Sequence, residues 1–415
     1  MIEPELIDLP IDLLTGWPNP TLLPAHPLQT SATEVLTNPS ITNPALLYGP
    51  DEGYEPLRTH IAAWLTAFYQ SPSPILTPRI CITGGASQNL ACVLQVFTDP
   101  IYTRNVWMVT PTYHLAARIL EDAGFATRLR GIPEDEEGID LVSLENGLRA
   151  AEADAERAGN TTPKLKPARP WRKIYKHVIY GVPTFANPSG KIMSLRRREA
   201  LVRLARRYDA LVVTDDVYDF LQWSARQLRT ARAFRASSTS TAFSTVALKL
   251  IGPGTRTGWA EASEKLAYGL SQAGSSRSGG APSHLCAAII DQLFPTGITD
   301  HIRHVLQPFY ANQYHTLLSA ICEHLVPLGV TVPVPAECAG GYFIWIGLPA
   351  GVQASEVVAK AQEEKLRLAP GDLFQIPDGD LVFSDHLRLC FAWEEARHLA
   401  EGVRRLARVL QRILT

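Results

Sequence analysis

Between residues 79 and 262, short apolar runs alternate with stretches whose apolar positions recur every three or four residues. This alternation predicts a mostly parallel sheet covered by helices, an α/β fold. RICITGG reads as a strand and ASQNLACVLQVFTD as a helix. VWMVTPTY and HLAARILEDAG repeat the pair, with Gly124 closing the second helix. KHVIYGV and ALVVTDD are further strands, and between them SLRRREALVRLARRYD is a helix capped by Ser194. Residues 153–172 are Pro- and Lys-rich without periodicity, which predicts a surface excursion rather than a linker. A second irregular stretch, RTARAFRASSTSTAFS, precedes LKLIGPGTRTGWAEA.

Beyond residue 297 the pattern changes. TDHIRHVLQPFYANQYHTLLSAICEHL reads as one long helix, followed by a strand in GGYFIWIGLP, a helix in ASEVVAKAQEEKL, a strand in HLRLCFAW and a terminal helix. The expected division is a large domain over 48–310, a small C-terminal domain over 311–415, and an N-terminal segment 1–47 that joins the small lobe.

Composition narrows the function classes. The chain has 415 residues, 46% of them hydrophobic, more than one ordinary domain needs. A formal net charge of -2 gives no electrostatic case for a nucleic-acid or membrane partner, so a small molecule is expected. Six cysteines without CxxC spacing fit buried reduced thiols better than zinc or disulfides, and point to the cytoplasm. The acidic start MIEPELIDLPIDLL is unlike a signal peptide, and no apolar run approaches membrane-spanning length.

The glycines of LKLIGPGTRTGWAEA, at 252, 254 and 258, invite a phosphate-loop reading. A Walker-type loop carries its lysine after the last glycine, and a dinucleotide fingerprint leads into a helix; Lys249 precedes the glycines and an extended run follows them. A turn between two strands is the better reading. Polar residues gather instead after the predicted strands, where open parallel sheets bind ligands. After CITG, the small residues Gly85, Ala86 and Ser87 open a helix whose N–H groups favour an anion. Tyr113 follows MVT, Asn187 sits in the turn VPTFANPSG, and Asp215 and Tyr218 follow ALVV. An acid at the end of a buried strand is costly without a partner, whereas Asp216 reads as its solvated neighbour. With Lys249 and Arg256, this set matches the needs of pyridoxal phosphate: an amine for the aldehyde, a carboxylate for the pyridine nitrogen, a stacking ring and an anion cradle.

The motifs YGPDEGYEPLR, PTYH, VPTFANPSG, TDDVYDFLQW, KLIGPGTRTGW and LRLCFAW, in this order, resemble those of the class I/II aminotransferases, the fold-type I pyridoxal-phosphate enzymes. The branch they are similar to holds the aromatic and 2-aminoadipate (kynurenine) aminotransferases, and the likeness runs from IDLLTGWPNP to the terminal helix. The resemblance implies pyridoxal 5′-phosphate as cofactor, with Lys249 as the Schiff-base lysine and Asp215 on the pyridine nitrogen. Tyr218 and Asn187 would bond the phenolic oxygen and Tyr113 would stack on the ring. Arg256 and the backbone at Ala86 and Ser87 would hold the phosphate. Tyr48 would serve the other subunit of a homodimer, Arg388 would grip the substrate α-carboxylate, and Gly16 and Asn187 would also line the substrate's place. Trp17, Leu22 and Leu23 favour an apolar or aromatic substrate, or pack in the core. One departure stands out: Val246 occupies the place of a phosphate-binding serine, behind a shortened serine-rich lead-in. Transamination is the expected reaction. Racemisation, elimination, decarboxylation or carbon–carbon bond formation on the same cofactor stays open, as does a regulatory protein of this fold.

Overall fold

The computed structural model describes residues 9–224, 242–247, 250–277, 279, 282–335, 337–377 and 379–415. Leu248 and Lys249 lie outside them. Fifteen strands occur among the described residues: β1 (Ile11–Asp12), β2 (Ile80–Thr83), β3 (Val106–Thr110), β4 (Leu129–Asp135), β5 (Gly138–Ile139), β6 (His177–Gly181), β7 (Ala210–Asp215), β8 (Gln222–Ser224), β9 (Ala242–Ala247), β10 (Gly258–Glu261), β11 (Cys338–Gly340), β12 (Phe343–Gly347), β13 (Leu366–Arg367), β14 (Ala369–Pro370) and β15 (His386–Cys390). Eight of these form one sheet in the order β2-β10-β9-β7-β6-β3-β4-β5. The pairs from β9 through β7, β6 and β3 to β4 are parallel, and β10 runs antiparallel to both its neighbours.

The continuous apolar runs of the central strands follow from burial on both faces. Alternate residues point to opposite sides. Val106, Met108, Val178, Tyr180, Leu211 and Val213 pack against Leu90 and Val93 of α4 (below) and Ala116 and Leu120 of α5. Trp107, Val109, Ile179 and Val212 face the other way, onto Leu144 and Leu148 of α6 and Leu201 and Leu204 of α7. These helices are α1 (Ala25–Thr37), α2 (Pro39–Leu46), α3 (Glu55–Phe68), α4 (Ala86–Phe97), α5 (His114–Leu120), α6 (Leu141–Arg157) and α7 (Leu195–Arg207) in chain order. The expected capping by Ser194 is present, its side chain accepting from the Arg197 N–H.

Three expectations need correction. Helix α6 extends to Arg157, so the excursion does not begin at 153; the helix-forming run AAEADAER continues the period and buries Ala155. The excursion is then tied down by Asp99, whose Oδ2 accepts from the N–H groups of Lys164, Leu165 and Lys166 at 3.1, 2.6 and 3.0 Å. The stretch ahead of the GPG turn does supply a strand, β9, inserted between β7 and β10. The long helix after Gly297 is continuous but runs as a π-helix over His301–Leu306 before the α-helix Gln307–His324. Pro308, lacking an N–H, is the local reason the α ladder cannot start earlier.

The C-terminal part holds the antiparallel sheet β12-β15-β14 and the terminal helix Ala396–Leu414, which buries Leu399, Val403, Leu406 and Leu410. β8 pairs antiparallel with β11. The N-terminal β1 joins this part by pairing parallel with β13, Ile11 opposite Leu366.

Candidate active site

The pleat of β7 decides which acid reaches the site. Leu211, Val213 and Asp215 alternate onto the side covered by α4 and α5, and there Asp215 lines a pocket with Ala86, Ser87, Tyr113, Tyr180 and Val213. Asp215 is 8% exposed and accepts from the Tyr180 hydroxyl at 3.2 Å. Burial, then the charge of Asp215, pushes the Tyr180 phenol well above its ordinary value, so it stays a donor. Tyr180 was not singled out from sequence; its signal is an aromatic with a polar tip near the carboxyl end of β6, the buried strand paired directly with the acid's own. Tyr218 is buried and packs edge-on against Tyr342 and Phe343, with ring centroids 5.4 and 6.0 Å apart.

The anion end is made by backbone. Helix α4 begins after Gly85, whose φ of +100° is open to glycine and strained for other residues, and no side chain caps it. Its first N–H groups are therefore available to an anion. Arg256 donates from Nη2 to the Gly84 carbonyl at 3.2 Å, and a Cβ on Gly85 would lie 3.3 Å from that nitrogen. The GPG turn brings it there: the 3-10 turn Pro253–Thr255 reverses the chain so that β9 and β10 pair, Ala247 opposite Gly258. Lys249, on the β9 side of this turn, lies outside the described residues. Val246 pairs with Trp259 in β9. Ser244, two residues back, is already engaged, donating to Asp216 Oδ2 at 2.6 Å.

The third group is cationic. Arg388 on β15 is 5% exposed and lies over the rings of Phe343 and Phe374, at 3.9 and 4.7 Å from their centroids. Its Nη1 donates to Asn187 Oδ1 at 2.9 Å and its Nη2 to the Leu14 carbonyl at 2.6 Å. Both partners are neutral, and Nε is buried with no hydrogen-bond partner among the described residues. Burial pulls its pKa down, against the opposing pull of Cys390 and then Tyr218 and Tyr113. A buried guanidinium with unused donors and neutral partners is built to receive a carboxylate. Gly16 packs so closely here that a Cβ would lie 2.7 Å from Phe343 Cζ. Asn187 belongs to the turn that follows β6 and precedes a cis Asn187–Pro188 bond. His114, also unremarked in the sequence, sits with its ring edge-on to Tyr113 and Phe374; burial and then Arg388 lower its pKa and keep it neutral.

The structure thus brings Asp215, Tyr113, Ala86, Ser87 and Arg256 to one side, and Asn187, Arg388, Tyr218 and Gly16 to the adjoining one. Tyr48 is not among them: it is 88% exposed, lying against Gly279. Of the three apolar residues expected near the entrance, Leu22 is core, while Leu23 and Trp17 are exposed, Trp17 edge-on to Trp393. Asp216 is not solvated but wholly buried, because the pleat turns it to the opposite side from Asp215. Of the cysteines, Cys81, Cys92, Cys338 and Cys390 are buried, whereas Cys286 is partly buried and Cys322 exposed; all are free thiols. Among the described residues no group of side chains could hold a metal ion, and no helix is long and apolar enough to cross a membrane.

Comparison with known proteins agrees with this geometry. The family description "Aminotransferase class I and II" matches residues 25–406. An uncharacterized protein of Saccharomyces cerevisiae is 32% identical over 397 residues, covering 88% of each chain. Aromatic-amino-acid aminotransferase 1 of Thermococcus litoralis is 28% identical over 97% of this chain and 88% of its own. The kynurenine aminotransferase of Pyrococcus horikoshii, crystallised in complex with PMP, superposes with a TM-score of 0.80 at 27% identity, covering 99% of this chain and 93% of that one. The buried carboxylate beside an aromatic ring, with an uncapped helix start and an arginine next to it, fits pyridoxal 5′-phosphate in charge and donor set. The chain belongs to the class I and II aminotransferase family, fold-type I transferases, and its cofactor is pyridoxal 5′-phosphate.

Proposed function

We propose that this aminotransferase exchanges an amino group between an apolar or aromatic amino acid and a 2-oxo acid. The observation that carries this reading is the pairing of a buried acid, Asp215, with a buried arginine, Arg388, on adjoining sides of one site. When bound, pyridoxal phosphate supplies an electron sink for the charge left at the substrate Cα. Asp215, oriented by Tyr180, keeps a proton on the ring nitrogen. Tyr113 covers the ring face, and Arg256 with the N–H groups of Ala86 and Ser87 takes the phosphate. Tyr218 and Asn187 address the phenolic oxygen, and Arg388 holds the substrate carboxylate in a bidentate fork. Lys249 anchors the cofactor and then moves the proton at Cα as general acid and base. Phe343 and Phe374, packed on Arg388, put aromatic surface beside the carboxylate's place, which favours an apolar or aromatic side chain.

The 48–310 region holds the cofactor in this reading, and 311–415 with the N-terminal segment closes on the substrate. The exposed Tyr48 serves the phosphate of a second subunit in a homodimer, and the enzyme works in the cytoplasm. The test is borohydride reduction of the yellow protein, followed by peptide mapping and a screen of aromatic donors with an oxo-acid acceptor. Label on the Lys249 peptide and acceptor-dependent product are expected. Label on another lysine overturns the anchor, and sustained product without acceptor replaces transamination by another reaction of the same cofactor.

A further inference from the structure

The opposite side of the β7 end carries a second set of acids that the reaction does not use. Asp216 is 0% exposed and Asp219, one turn on, 3%. The Asp219 N–H closes that turn on the Asp216 carbonyl at 3.2 Å. Asp216 Oδ2 accepts from Thr214 Oγ1 at 2.7 Å and from Ser244 Oγ on β9 at 2.6 Å. Asp219 Oδ2 accepts from the Tyr69 hydroxyl at 2.8 Å, at the end of α3. On the far side, Arg198 of α7 donates from Nη2 to Thr184 Oγ1 and to the Pro183 carbonyl, both at 2.9 Å. Thr184 thereby has its own hydroxyl proton left for Asp219, and it lies three residues before Asn187.

Three of the segments so joined carry or lead to the site: β7 carries Asp215, the turn after β6 carries Asn187, and β9 leads toward Lys249. We propose that Asp216 and Asp219 are positioning residues, a buried carboxyl pair that shares one proton and with it holds these segments at their working separation. Charge balance gives the reason. Among the described residues, the cation facing the pair is Arg198, buried on α7; the other groups facing it are Tyr69 from α3 and Glu261 from β10, and Glu261 has its own partner in Arg79 at 3.1 Å. One guanidinium balances one carboxylate, and the second carboxyl stays neutral only by keeping its proton. Burial, then the charge of Asp216, raises Asp219 to about 7, and burial raises Asp216 as well. Loss of the shared proton would set two unscreened like charges in one turn and push β7 from its neighbours.

The inference rests on the proposed site but is tested apart from it, by thermal unfolding of the apo protein between about pH 5 and pH 8. The unfolded chain releases the proton near the ordinary carboxylate value and the folded chain only near 7, so folded stability falls as pH rises from about 5 to about 7 and levels off above it. Asp219→Asn, neutral at every pH, should flatten that fall, leaving a drop in Tm smaller than in the parent by at least about 3 °C. Equal drops overturn the pair. If Asp219→Asn does not fold, Tyr69→Phe removes a donor to the charged form, and the midpoint should move to higher pH; an unmoved midpoint overturns it equally. Cofactor titration supplies the positioning readout. Affinity for pyridoxal phosphate should weaken by up to about tenfold per pH unit above the midpoint in the parent but stay level in Asp219→Asn. An identical affinity profile in the two overturns the positioning role. Absence of cofactor binding at any pH, with the difference in Tm intact, tells against the proposed function and leaves the pair standing.

Discussion

The two ends of the site are built by different means. The cofactor end belongs to one sheet: Asp215, Tyr180, Tyr113 and the start of α4 all stand at or just past the carboxyl ends of β2, β3, β6 and β7, positioned chiefly by strand register. The carboxylate end is an assembly of distant pieces. Arg388 comes from β15, its carbonyl partner from Leu14, its amide partner from Asn187 and its aromatic bed from β12 and the turn at Phe374. A single backbone bond, Thr112 N–H to the Phe374 carbonyl at 2.9 Å, ties the second bed to the loop that carries Tyr113. The first end is therefore rigid by construction, and the second is held by a few contacts that a substrate can complete.

The sharpest way to break this comparison is at the rigid end. Asp215→Asn keeps the shape and the Tyr180 hydrogen bond but removes the charge that holds the ring proton. It should lower kcat by at least about a hundredfold with cofactor still bound, read by steady-state kinetics beside the visible spectrum. Loss of cofactor with normal turnover per bound site would contradict the assignment. At the other end, Arg388→Lys keeps a cation but not the fork. It should raise KM by roughly 10- to 100-fold, the scale of about 1.5–3 kcal/mol for hydrogen bonds to a charged group, with the spectrum of the resting enzyme unchanged. An altered spectrum with unaltered KM would exchange the two ends. The smallest effect is expected at Gly85→Ala: the strain of a side chain at φ +100°, and a Cβ 3.3 Å from Arg256, should weaken cofactor binding about tenfold and leave kcat at saturation unchanged.

The same contrast explains how much could be read from the sequence. Strand ends are legible because apolar runs and the polar residue that follows them are local signals, so Asp215, Tyr113, Asn187 and the α4 start could be placed from the text of the chain. Parity along a strand is legible too, but only once the strand's own boundaries are fixed. Asp216 reads as solvated beside Asp215, but the pleat turns it to the other side of β7, where the turn to Asp219 and Arg198 of α7 cover it. The lead-in strand β9 starts only at the end of a serine-rich stretch, and the strand's own order comes from pairing with β7 and β10, a tertiary effect that propensity does not carry. Arg388 was recognised by its motif, yet its partner Leu14 contributes a main-chain carbonyl, which leaves no trace in side-chain identity.

That last contact bears on how the molecule is made. Leu13 and Leu14 meet Cys390 and Arg388 across almost the whole length of the chain, the Cys390 N–H bonding the Leu13 carbonyl at 2.8 Å. A ribosome releases residues in order, so the sheet that carries the cofactor end can form while its N-terminal stretch still waits for strands not yet synthesised. The nascent chain passes through a stage with one binding end complete and the other absent. Cofactor captured at that stage would act as a folding ligand, stabilising the large sheet by mass action before the enzyme can hold any substrate.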